Sequence, residues 1–158
     1  MHDSNFAAQR VSRTANITLN GDPDTIFPLF GAFEERKWAE GWNPDLIYPA
    51  TEIIEEGTTF KTSGHGHDEE EFLWIVIKYD PQFCLIRYLV STPNRYWTIT
   101  VECKPAGAYQ SSAKITYCYT GLNEHGNILN QQALKKMYLR DLKDWEEEIN
   151  YYLEDNIR

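Results

Sequence analysis

A chain of 158 residues, 42% hydrophobic and 25% charged, is sized for one globular domain with a substantial core. Its formal net charge of -9 opposes a phosphate backbone and no basic run offsets it, which excludes nucleic acid as a partner. The longest purely apolar run, Phe72 to Ile77, falls far short of the roughly 20 residues that cross a bilayer, so no transmembrane segment is expected.

Residues 1–12 are polar and predicted to be flexible; residues 13–158 are predicted to form a single domain. From Arg13 to Asn20, Ala15, Ile17 and Leu19 alternate with Thr14, Asn16 and Thr18, the period-2 pattern of a strand with one wet face. Gly21-Asp22-Pro23 ends that strand, and Asp22 as N-cap with Pro23 in the first turn starts a helix. Pro28 keeps this helix short, and a second short helix is predicted over Phe33 to Glu40, ending at Gly41. Trp38 and Trp42 flank that end and are expected to close one end of the interior.

After Pro44 the pattern turns extended. Segments "DLIYPATEII" and "GTTFKTS" read as strands around a Glu55-Glu56-Gly57 turn, followed by four longer runs, "EFLWIVIKY", "FCLIRYLV", "YWTITVEC" and "SAKITYCYT". Short connections between them predict antiparallel neighbours. Trp97, Ile99, Val101 and Cys103 share one face of their run, and Ala113, Ile115, Tyr117 and Tyr119 share one face of theirs. Between the second and third of these strands, His65 and His67 lie in "GHGHDEEE", where alternate imidazoles and acids resemble a metal set; a glycine-rich turn is a poor scaffold, and no metal site is assigned.

From Asn127 to Asp155 there is no Gly or Pro, and Leu134, Tyr138, Leu142, Trp145, Ile149 and Tyr152 step by three or four residues. That spacing predicts one long amphipathic helix. Cys84, Cys103 and Cys118 are odd in number and lie in strand-like segments, which suits buried free thiols in a reducing cytoplasm. No nucleophile elbow, Cys-x-x-Cys or His-Glu-x-x-His motif occurs, and no cofactor is assigned.

A strand, two short helices, an antiparallel meander and a long final helix, in that order, resemble the START-like or Bet v 1-like (SRPBCC) superfamily. The opening "NITLNGDPDTIFPLFGAFEERKWAEGWNPDL" and the ending "DLKDWEEEINYYLED" resemble its polyketide cyclase/dehydrase-like branch. The resemblance implies an α+β helix-grip fold, with a curved sheet of six or seven strands around the C-terminal helix. It also implies a cavity between the two for a hydrophobic or amphipathic small molecule, without a fixed catalytic motif. Candidate lining residues are Trp42, Phe60 and Trp74, then Tyr88, Trp97 and Tyr117, and finally Tyr119, Tyr138 and Trp145. Arg87 is a possible polar anchor, unless Cys84, Ile86 and Tyr88 take the inner face and leave it in water. A cyclase, dehydratase or hydrolase on the same fold is the alternative; an interaction protein like the Hsp90 ATPase activators is a further one.

Overall fold

The computed structural model describes residues 6–64 and 69–157, so the His65 and His67 turn lies outside the described residues. Among those described, seven strands form one antiparallel sheet: β1 (Arg10–Leu19), β2 (Asp45–Tyr48), β3 (Thr59–Ser63), β4 (Glu71–Asp80), β5 (Leu85–Ser91), β6 (Arg95–Pro105) and β7 (Ser111–Gly121). Their order is β1-β7-β6-β5-β4-β3-β2, so the last strand returns to pair with the first and each other neighbour is consecutive. Helix α1 (Pro23–Ile26) and two 3₁₀ turns, Phe27–Phe30 and Glu34–Lys37, fill the connection from β1 to β2. The chain ends in α2 (Glu124–Arg140) and α3 (Lys143–Ile157). This is the α+β helix-grip arrangement that the element order predicts.

Alternation fixes the inner face. On β5, Cys84 just before the strand and Ile86, Tyr88 and Val90 within it are buried, while Arg87 sits on the outer face and donates from Nε to Thr100 Oγ1 at 2.8 Å. On β6 the buried set is Arg95, Trp97, Ile99, Val101 and Cys103. A register shift after Val76 on β4 resets the pairing with β5 from Val76–Tyr88 to Lys78–Arg87. Asp22 caps α1 as the sequence predicts, its Oδ1 accepting from Thr25 N–H at 3.0 Å.

Strand β2 stops at Tyr48 and does not continue through the "PATEII" that the sequence reads as extended, and three further local features differ from the sequence pattern. Strand β1 begins at Arg10, three residues earlier than the alternation suggests, because Arg10 to Ser12 already pair with Cys118 to Thr120. The second short helix tightens to the 3₁₀ turn Glu34–Lys37, with separate turns continuing to Trp42. The C-terminal helix is interrupted at Asp141 and Leu142, both in the left-handed region with φ of 50° and 62°. Asp141 tolerates that conformation as a helix C-cap, and its N–H still donates to Met137 O at 2.8 Å.

The break serves the sheet edge. Strand β1 is an edge strand whose outward N–H and C=O groups need partners. Asn127 of α2 accepts from Gln9 N–H and donates to Ala7 O, each at 3.1 Å. Asp141 takes both arms of Arg13 at 2.9 Å. Beyond the break, Glu146 accepts from Thr18 N–H at 2.7 Å, and Asn150 both accepts from Asn20 N–H at 2.8 Å and donates to Thr18 O at 3.1 Å. The two helices thus track the strand from end to end, while Ile149 and Leu153 enter the core.

Candidate functional site

The interior is not filled by side chains. A chamber of about 350 Å³ lies between the segment Phe30 to Trp42, the inner face of β4 to β7, and α3. Trp38 and Trp42 form one wall and are anchored as well. The Trp38 indole N–H donates to Leu29 O at 2.7 Å, and that of Trp42 to Ala32 O at 2.6 Å. Each ring therefore folds the loop back onto the turn that precedes it, with its apolar body facing inward.

Two sets of touching rings contribute to the lining. Trp42 meets Trp74 edge-on at 5.3 Å between centroids, and Trp74 meets Tyr88 edge-on at 5.6 Å. Trp38 meets Trp145 of α3 at 5.7 Å, and Trp145 meets Tyr117 at 6.4 Å. The rings of Trp42, Trp74, Tyr117 and Trp145 are only partly buried, because their free faces look into the chamber. Ile99 and Val101 floor it from β6.

Of the residues singled out from the sequence, the structure brings Trp42, Trp74, Tyr88, Tyr117 and Trp145 to this chamber. Phe60 is fully buried behind them, stacked on Trp74 at 5.4 Å. Trp97 and Tyr119 occupy the inner face farther along the sheet, 5.6 Å from each other, and do not line the chamber. Tyr138 is 53% exposed, with the Arg13 guanidinium 3.6 Å above its ring. The stripe that would have turned it inward assumed a continuous helix, and the break at Asp141 and Leu142 separates its face from that of Trp145. Arg87 is on the wet side of β5, as follows once Tyr88 faces inward.

The group that sequence reasoning missed is Glu35. It lines the chamber between Phe30 and Trp38, and burial pushes its carboxyl up to about 8. Part of its surface stays accessible because it faces empty space, yet protein surrounds the carboxyl; that surrounding low-dielectric shell, rather than local exposure, sets its proton affinity. The neighbouring cations are already engaged, Arg36 with Glu52 at 2.5 Å and Lys37 with Glu34. Tyr88 donates its hydroxyl to Phe30 O at 2.8 Å, and burial followed by the nearby Glu35 charge holds its pKa well above the usual phenol range. Burial does the same to Tyr117, with Tyr119 and then Glu35 adding to it. Glu35 is therefore the lining group with a resolved shift that places its titration near neutrality. A faint sequence signal existed: Glu35, Trp38, Ala39 and Trp42 stand at i, i+3, i+4 and i+7, one face of a helical run.

At the opposite end of the interior sits a different carboxylate. Glu69, before β4, receives Arg95 of β6 at 2.7 Å, and the guanidinium lies 4.6 Å over the Trp97 ring. Arg95 also donates to Asn130 Oδ1 of α2 at 3.4 Å. This cluster pins α2 to the sheet.

No family model matches the chain, and no curated protein matches it. Solved structures do. Norcoclaurine synthase from Thalictrum flavum, in complex with dopamine and hydroxybenzaldehyde, is 13% identical with a TM-score of 0.70 over 94% of this chain and 89% of that one. Ara h 8.0201 is 13% identical with a TM-score of 0.66, over 94% of this chain and 100% of that one. A protein from Rhizobium leguminosarum is 13% identical with a TM-score of 0.64, over 95% and 98%. All three have the Bet v 1-like helix-grip fold, and this chain has that fold too.

Proposed function

We propose that this protein binds an apolar or amphipathic small molecule, with an aromatic or similarly flat body, in the chamber between its sheet and α3. The observation that carries the reading is the unfilled volume of about 350 Å³ walled by Trp38, Trp42, Trp74, Tyr88, Tyr117 and Trp145. Interiors otherwise pack like organic crystals, and a ring-lined space within the size range of ligand pockets departs from that rule. Norcoclaurine synthase, on the same fold, holds small aromatic molecules. An enzymatic reading on the cyclase or dehydratase pattern draws on Glu35, a carboxyl that keeps its proton at pH 7 and so has one to give. Binding is the broader statement, since either role begins with it. Two buried free thiols, Cys84 and Cys103, fit work in a reducing cytoplasm.

Four of the five tryptophans line the chamber, so intrinsic fluorescence reports directly on its occupancy. Titration with nitrobenzene and with 1-nitronaphthalene, flat apolar compounds that do not emit, should quench that emission and raise the melting temperature. Ala39, a small lining residue, offers the control: Ala39→Phe should fill the space and abolish both effects. Unchanged emission with either compound in the parent protein, or equal quenching in Ala39→Phe, rejects the reading.

A further inference from the structure

We propose that the chamber selects organic cations, from primary to quaternary amines bearing an apolar body, by setting the cationic head against Glu35 within the surrounding indoles. This rests on the binding function above and narrows it to a ligand class.

The lining chemistry is one-sided. Its charged side chains among the described residues are Glu35 and Glu40, with no Lys, Arg or His. Four indoles surround them, and the indole face is the best neutral surface for a cation. Arg36 and Lys37, adjacent in sequence, are committed to Glu52 and Glu34 and leave the Glu35 carboxyl without a protein counterion. Glu40 and Gly41, the exposed members of the lining, mark the mouth, where a negative charge favours entry of a cation. Once Glu35 is ionised, an anion or a fully apolar molecule would leave its carboxylate uncompensated. A cation supplies its missing partner.

The groups facing Glu35 are few. Glu40 shares its segment, Tyr88 approaches from β5 and Tyr117 from β7; both phenols stay protonated far above neutrality, and Asp144 of α3 and Tyr79 of β4 act on them rather than on Glu35. Free Glu35 titrates at about 8. A bound cation requires the carboxylate, so binding below that pH expels one proton, which leaves to solvent. Affinity for a cation of fixed charge should then fall about tenfold from pH 9 to pH 7, one pKa unit's worth of linkage.

The probes are benzyltrimethylammonium, whose charge does not titrate, and its uncharged carbon isostere neopentylbenzene, each followed by tryptophan fluorescence at pH 7 and pH 9. The cation should bind on the order of tenfold tighter than the isostere at pH 9, from its charge-assisted contact to Glu35, the ring contacts only offsetting the hydration the head group loses. That preference and the pH dependence should both vanish in Glu35→Gln, while neopentylbenzene still binds the variant and so reports it folded. Equal affinity for the two probes, or a preference retained in Glu35→Gln, overturns the inference and leaves the binding function standing. Failure of both probes in the parent protein overturns both.

Discussion

Glu35 and Glu69 are both acidic residues drawn into the interior of one small domain, and they end in opposite circumstances. Glu69 meets Arg95 at 2.7 Å and sits under α2. Glu35 faces a chamber with no cationic side chain among its described lining and holds its proton up to about pH 8. A carboxylate with a guanidinium becomes a fastener; a carboxyl without one is a stored cost that a ligand can relieve. The same residue type therefore marks structure at one end of the grip and a site at the other.

The largest test of that contrast is Arg95→Met. It strands a carboxylate that is only 5% exposed and should lower stability by about 3–5 kcal/mol in urea denaturation at pH 7. The double variant Arg95→Met with Glu69→Gln should recover much of the loss. If the single variant is near neutral, Glu69 is not the fastener described.

Glu35→Gln should act in the other direction, by an amount that grows as pH rises above about 4.5. The folded protein holds the Glu35 proton up to about 8, whereas the unfolded chain releases it near 4.5. Between those values the folded state binds more protons, so stability falls as pH rises, by about 1.4 kcal/mol per pH unit, and it levels off above the folded pKa. The ligand-free variant should match the parent near pH 4.5 and exceed it by about 3–5 kcal/mol at pH 9, read from paired urea titrations. Equal stability of the two at pH 9 would show that the carboxyl is not desolvated.

Smaller effects belong to the wall and the break. Trp38→Phe keeps the ring but leaves Leu29 O without its 2.7 Å donor, a loss of about 1–2 kcal/mol in thermal or urea unfolding. Asp141→Ala removes the two-armed contact to Arg13 and a residue suited to the left-handed cap. Because that pair is partly exposed, the expected change is about 1 kcal/mol. A loss as large as that of Arg95→Met would place the anchor of the helices at the break rather than at Glu69.

Much of the fold is legible in residue order. Alternation on β6 and β7 assigns Trp97, Ile99, Val101, Ala113 and Ile115 to the inner face, and the structure buries all five. Arg87 illustrates a choice that alternation alone left open, settled once the Tyr88 hydroxyl found Phe30 O. The helix break was not legible, since Asp141 and Leu142 are ordinary helix residues in an uninterrupted stripe. What bends the chain there is the open edge of β1, whose Arg13, Thr18 and Asn20 draw partners from both sides of the break. Tyr138 was misplaced for the same reason.

By itself the sequence determined the order of the elements, the inner faces of β1, β6 and β7 and the clamp of helix on sheet, because apolar periodicity is a local property that each of those segments carries alone. Only the tertiary structure decided that Glu35 faces an unfilled chamber while Glu69 finds an arginine. The proton affinity of a carboxyl depends on which distant segments displace water from it and whether any of them brings a positive charge, and no spacing along the chain encodes that sum.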